Sequence, residues 1–330
     1  MKILVTGPDG LLGSNLVREL LSRNYEVSVL LEPGKEPVTL EGLKIKKYFG
    51  NILYADMLDK ILEGHDVVIH CAASTSMFPA RNKNVVRVNV EGTRNVIAAS
   101  LKHSVKRLIH VGTAASFGSG NCHSNPGNEI RSYSNGKIGL DYLDSKNEAQ
   151  SLIIEATKTN KLKAIVVNPT FMIGPFDSKP GSGAMILAVH NNKIPAVSSG
   201  GKNFVYVKDV ATAMANAITM GRVGESYILG NSNLSYKEAF DTIAKVISAK
   251  APKRVLPDSV IKTYGTLNSF LAKTLGYQPE VTKELARISC ENHFYSAEKA
   301  RKELLLPQTP IEVAILECYE WFKCNGYLTK

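Results

Sequence analysis

The opening segment KILVTGPDGLLG constrains this chain more than any other. A short apolar run that reads as a buried strand leads straight into Gly7, Gly10 and Gly13. A helical pattern, Leu11 to Arg23, follows at once. The turn out of the strand needs a backbone without a Cβ, the second glycine lets a ligand approach the chain, and the third lets the helix pack tightly on the strand. Unpaired N–H groups at the start of such a helix hold phosphate oxygens. The stretch Gly7, Asp9, Gly10, Leu11, Leu12 and Gly13 is therefore expected to cradle the diphosphate of NAD or NADP.

The rest of the first half repeats this strand-then-helix rhythm. The runs EVSVLL, LKIKKYF, VVIHCAA, KRLIHVG and KAIVVNP read as strands, with helices at about 82–101 and 132–158. That alternation predicts an α/β protein, a Rossmann doubly wound parallel sheet covered on both faces. Beyond Pro169 the pattern turns mixed and rich in Gly and Pro, which fits a smaller C-terminal substrate-binding portion. Residues 1–170 are expected to form the nucleotide-binding domain, catalytic residues included. Residues 171–330 supply the substrate portion, with some segments returning to the main sheet.

At the end of the second predicted strand stands Glu32, where an acidic residue reads the ribose hydroxyls. A carboxylate there repels a 2′-phosphate and favours NAD over NADP, although Lys35 nearby works the other way. Further on, Tyr142 and Lys146 lie four residues apart, on one face of a helix. A phenol is a poor proton donor or base near neutrality, and a neighbouring cation favours its ionised form. The pair is expected to exchange a proton with a substrate oxygen. A hydroxyl at the end of the preceding strand completes the set; IHVGTAASFG offers Thr113 and Ser116, and Thr113 is nearer the strand.

Composition narrows the remaining classes. The net charge of +10 comes from small scattered groups rather than one run, so nucleic-acid binding is not expected. Five scattered cysteines without CxxC spacing and seven histidines without ligand spacing point to no metal and to a reducing cytoplasm. MKILVTG already reads as a strand, so no export signal is expected, and no run approaches the roughly 20 apolar residues that cross a bilayer.

With TGPDGLLG, HCAAS, VNVEGTRNV, VGTAASFG, YLDSK, VNPTFMIGPFD, FVYVKDVA and FYSAEKARKELLL in that order, the chain resembles the extended short-chain dehydrogenase/reductase superfamily over nearly its whole length. Within it the chain is similar to the dihydroflavonol-4-reductase-like group of the NAD-dependent epimerase/dehydratase family. The resemblance implies that His70, Cys71, Ala72 and Ala73 line the cofactor, that Asn51 and Ile52 border the adenine, and that Asn89 supports the fold. It also brings Pro169 and Thr170 near the nicotinamide, and Lys146 is expected to reach the nicotinamide ribose as well. Asn51 stands where the family carries Asp, and Glu32 where NADP-using members tend to carry a basic residue. Asp209 is expected to cap or brace the helix it opens.

The leading expectation is an oxidoreductase interconverting a ketone or aldehyde and an alcohol on a small organic substrate. A nucleotide-sugar epimerase or dehydratase is the alternative. Lys202 and Asn168 stand where such enzymes often contact phosphates, but an Arg-x-Gly-Asp stretch expected before the late KA motif is missing. A non-catalytic dinucleotide sensor is the third reading, and the presence of both Tyr142 and Lys146 counts against it. The substrate walls are expected at Ser74, Met77, Phe78, Ser116, Phe171 and Met172. No membrane contact is expected, and the resemblance suggests a homodimer built on the helices at 82–101 and 132–158.

Overall fold

The computed structural model describes residues 1–279 and 281–328. Six parallel strands come first: β1 (Lys2–Thr6), β2 (Glu26–Leu31), β3 (Lys46–Phe49), β4 (Val67–His70), β5 (Arg107–Val111) and β6 (Ala164–Pro169). The chain then forms β7 (Phe171–Ile173), β8 (Ala196–Val197) and β9 (Gly201–Tyr206) before β10 (Ser226–Leu229) returns to pair with β6. The central sheet has the order β10-β6-β5-β4-β1-β2-β3. All its pairings are parallel. This is the Rossmann-type sheet that the alternating pattern predicted.

Strands β4 and β6 are buried at every position, as a parallel sheet covered on both faces requires. Successive side chains point to opposite faces. Ile3 and Val5 of β1 belong to one core cluster, with Val29, Ile69, Ile109 and Ile165, while Leu4 belongs to the other, with Val68, Leu108 and Val166. The first cluster lies under α1 (Leu11–Ser22). The second lies under α2 (Ala55–Leu62), α4 (Gly92–Lys102), which the short helix α3 (Lys83–Val86) precedes, and α5 (Asp141–Thr159).

Helix α5 begins at Asp141 rather than near 132. Residues 135–138 form a short 3-10 turn that ends at Gly139 with φ +80, a left-handed residue that breaks the path into a regular helix. A five-residue π-helical segment, Arg87–Glu91, joins α3 to α4.

The later half adds α6 (Ala184–His190), α7 (Val207–Asn216) and α8 (Tyr236–Val246), with β11 (Ser232–Ser235) and β12 (Arg254–Val255). It then adds α9 (Asp258–Leu275), α10 (Lys283–Ser289), β13 (Asn292–His293), α11 (Glu298–Glu303) and α12 (Ile311–Cys324). Strand β9 organises this part, pairing with β7, β11 and β13. Helices α7, α8 and α12 bury their apolar faces in the same cluster as α1. Asp209, in the first turn of α7, braces rather than caps: its carboxylate accepts from the Thr309 N–H at 2.8 Å and from the Thr309 hydroxyl at 2.7 Å.

Candidate active site

Strand order reverses between β1 and β4, and a cleft of about 630 Å³ opens at their C-terminal ends, where such sheets bind nucleotides. Gly7 ends β1 with φ +64, and a Cβ there would stand 2.7 Å from the backbone of Ala72. Gly13 packs α1 onto the turn so closely that a Cβ would stand 2.1 Å from the Gly7 carbonyl oxygen. Gly10 differs: a Cβ there would meet nothing nearer than 3.9 Å and would project into open space. Helix α1 has Gly10 as its N-cap, no capping side chain and no acid in its first turn. Its first N–H groups are therefore free to hold an anion. This cradle fits the diphosphate of a dinucleotide.

Gly7, Asp9, Gly10, Leu11, Glu32, Asn51, Ile52, Cys71, Ala72, Ala73 and Thr170 all line this cleft. Leu12 and Gly13 do not; Leu12 points into the core and Gly13 is taken up by helix-to-turn packing. His70 is also not a lining residue. It is buried, hydrogen-bonded to Thr6 at 2.8 Å and Thr93 at 3.2 Å, and burial drives its pKa to about 3, so it is a neutral core imidazole. At the ribose end the Lys35 ammonium pairs with the Glu32 carboxylate and lies 3.6 Å from that of Asp9. Lys35 is held protonated chiefly by Glu32. Asn51 spends its carbonyl oxygen on the N–H of Leu53 at 2.9 Å.

A second chamber, about 210 Å³, opens beside the cleft, and Thr170 and Phe171 line both. Thr113 and Tyr142 line this chamber together with Met77 and Pro169. Burial pushes the Tyr142 phenol up, and the Thr113 hydroxyl acts on it in the opposite direction. Lys146, one turn further along α5, is buried and borders neither space. It donates to the Val111 carbonyl oxygen at 2.6 Å, and burial lowers its pKa to about 8. The sequence spacing puts Tyr142 and Lys146 on one face, yet the ammonium is hydrogen-bonded to the end of β5 rather than to the phenol.

Four expected substrate walls stand elsewhere. Ser74 and Met172 line the cofactor cleft instead. Phe78 lines neither space; its carbonyl accepts from the Ser76 hydroxyl at 2.8 Å in a local turn. Ser116 is buried behind the chamber, because the 3-10 turn Ala114–Ser116 folds it inward, and its hydroxyl has no partner among the described residues. Asn168 is not exposed to a ligand either: its amide donates to Gln150 at 2.6 Å and to the Thr113 carbonyl at 3.1 Å.

The tertiary structure adds walls that the sequence did not single out: Asn135, Ile138, Leu143, Leu285, Ile288, His293 and Tyr295. Asn203 organises this side. Its carbonyl oxygen accepts from the Thr170 hydroxyl at 2.8 Å, and its amide donates to the Tyr295 carbonyl at 3.1 Å. Lys202 also faces the chamber, its ammonium 4.4 Å from the centre of the Phe171 ring. Among the described residues it has no ion pair, and burial lowers its pKa to about 8. The Nε2 of His293 is buried there without a partner among the described residues. The motifs FVYVKDVA and FYSAEKA marked these strands in the sequence, but nothing local revealed that they close over Tyr142.

Residues 3–230 match the model of the NAD dependent epimerase/dehydratase family. The chain belongs to that family. Among family relatives, it is 30% identical to the "Putative dihydroflavonol 4-reductase" of Synechocystis sp., over 98% of this chain and 95% of that protein. The crystal structure of gox2253 superposes with a TM-score of 0.88 at 30% identity, over 99% of both chains. The dTDP-glucose 4,6-dehydratase DesIV from Streptomyces venezuelae, solved with NAD and TYD bound, shares the fold at a TM-score of 0.79 and 21% identity, over 99% of both chains. The dihydroflavonol-4-reductase-like resemblance and the Rossmann fold expected from the sequence therefore both stand.

Proposed function

We propose that this family member is an oxidoreductase that interconverts a ketone or aldehyde and the matching alcohol on a small organic substrate, using NAD in preference to NADP. The observation that carries the reading is the shared chamber: Thr113 and Tyr142 face a largely apolar space that meets the dinucleotide cleft at Thr170 and Phe171. The nicotinamide supplies or accepts the hydride equivalent when bound. Tyr142 would hand its phenolic proton to the carbonyl oxygen during reduction and take it back during oxidation. Thr113 holds that oxygen by its hydroxyl, and Lys146, cationic at neutral pH, lowers the cost of the developing phenolate. Met77, Ile138, Leu143 and Ile288 exclude water from the reacting carbon. Glu32 supports the NAD preference, and its pairing with Lys35 weakens that preference without reversing it.

A second reading, rearrangement of a nucleotide sugar, is favoured by Lys202 in the same chamber, a cation without an ion pair among the described residues and suited to a substrate phosphate. The purified protein should be incubated with ketones and aldehydes in the presence of NADH, and with nucleotide sugars in the presence of NAD, following both nicotinamide absorbance and product. Net NADH consumption with a ketone or aldehyde supports the first reading. Conversion of a sugar nucleotide with no net change in nicotinamide would replace it by the second.

A further inference from the structure

Helix α9 leaves most of its apolar surface bare. Only Gly265 and Ala272 of its eighteen residues are buried. Gly265 makes the close approach to α10, where a Cβ would stand 2.4 Å from that of Ala286. Away from this contact Val260, Tyr264, Leu267, Leu271 and Leu275 recur every three or four residues, with Phe270 beside them, at exposures from 38% for Leu271 to 72% for Leu275. At about 100° per residue these six side chains span an arc of about 140° along a rod about 27 Å long. Isolated exposed apolar residues need no account, but a continuous stripe of this size marks a surface that something covers.

The charges around the stripe say what covers it. Lys262 and Lys273 lie together on the helix beyond the Phe270 edge of the stripe, Lys250, Lys253 and Arg254 lie on the chain leading into it, and Lys283 and Arg287 are exposed on α10. Among the described residues Lys250, Lys253, Arg254 and Lys273 have no ion pair, whereas Lys262 pairs with Asp258 at 3.2 Å, Lys283 with Glu284 at 3.6 Å and Arg287 with Glu291 at 3.8 Å. A second copy of this chain would set these cations against themselves. An apolar layer beneath an anionic one complements both the stripe and its rim. We propose that α9 seats this protein on the surface of an anionic lipid bilayer, with its apolar stripe at the boundary of head groups and acyl chains and the neighbouring cations on lipid phosphates.

This departs from the expectation of no membrane contact, and it needs no spanning segment; no helix among the described residues is long and apolar enough to cross a membrane. Because α10 packs on α9 and supplies Leu285 and Ile288 to the substrate chamber, docking holds one chamber wall a single helix away from lipid. The inference stands independently of the redox reading.

The test is flotation of the full chain with vesicles of phosphatidylcholine alone or of phosphatidylcholine mixed with phosphatidylglycerol. The double variant Leu267→Gln, Leu271→Gln is run beside it, with thermal unfolding and dinucleotide binding as checks that it folds. Wild type should float with the anionic vesicles, be released by salt, and bind neutral vesicles far more weakly. The variant should lose binding to anionic vesicles at least about tenfold with its unfolding temperature and dinucleotide affinity unchanged. Failure of wild type to float with either vesicle overturns the proposal, as does equal recovery from both. Sedimentation showing self-association that the variant abolishes, without vesicle binding, would assign the stripe to a second copy instead.

Discussion

Asn89 and Ser74 exchange two hydrogen bonds. The Ser74 N–H donates to the Asn89 carbonyl oxygen at 2.8 Å, and the Asn89 amide donates to the Ser74 carbonyl oxygen at 3.0 Å. The same amide donates to the Ser145 hydroxyl at 3.0 Å. One buried side chain thus ties the segment after β4, which lines the cofactor cleft, to the helix that carries Tyr142 and Lys146. Asn89→Ala removes both hydrogen bonds to the Ser74 backbone and the one to Ser145, whose hydroxyl keeps its bond to the Tyr142 carbonyl, and is expected to destabilise the protein by roughly 1–3 kcal/mol. Dinucleotide affinity should fall with it. Chemical unfolding and calorimetric titration check both; unchanged affinity in the folded variant would remove Asn89 from the support of the cleft.

The glycines of the first turn should separate folding from binding. Gly7→Ala meets the backbone of Ala72 at a positive φ and is expected to unfold the turn and lower the unfolding temperature. Gly10→Ala meets no atom nearer than 3.9 Å, so it should fold normally while its methyl group blocks the approach of phosphates. Thermal unfolding and NADH titration of the two variants should therefore give opposite patterns, with stability lost in the first and affinity alone lost in the second.

Tyr142→Phe removes only a hydroxyl from the chamber wall. It should lower kcat by roughly 10²–10⁴ and leave NADH affinity within about twofold of wild type. Thr113→Val, which keeps the shape of the side chain, should lower kcat by a smaller factor. Comparable turnover in the Phe variant would remove the phenol from the chemistry.

Lys146 and Lys202 make stability depend on pH in the alkaline range. Burial lowers both from an ordinary value of 10.5 to about 8. Between those limits the unfolded chain binds protons that the folded protein has released, so these two groups make stability rise with pH across the window. The cost of burying their charge is fully present below about 8. Lys202→Met removes one of the two protons. The stability of wild type relative to this variant should rise with pH from about 8 to 10 by up to about 1.4 kcal/mol per unit. Urea unfolding of both proteins at several pH values without dinucleotide measures it, and a difference that stays flat would show that Lys202 keeps its ordinary protonation.

Glu32 and Lys35 share the ribose end of the cleft as an ion pair. Glu32→Ala removes the carboxylate and leaves the cation facing the cleft. The ratio of NADPH to NADH affinity should rise, by at least about tenfold if Lys35 then pairs with the added phosphate. Parallel titrations with the two reduced dinucleotides decide this.

The amino-acid sequence by itself determined whatever depends on neighbours along the chain. Apolar runs alternating with helical patterns made the parallel sheet legible, the three glycines marked a turn whose backbone needs are local, and the spacing of Tyr142 and Lys146 put both on one helical face. Side-chain destinations across the fold were not legible in the same way. Ser116 and Thr113 look alike in IHVGTAASFG, and only the turn after β5 buries one and exposes the other to the chamber. Phe171 and Met172 are adjacent apolar residues, yet only Phe171 reaches the chamber. Lys202, His293 and Tyr295 join Tyr142 only because β9 and the segments around β13 pack back over α5. The bare stripe on α9 is an ordinary amphipathic pattern until the fold leaves it uncovered. Periodicity along the chain reports which residues share a face; which surface meets that face is decided by packing between segments far apart in the chain.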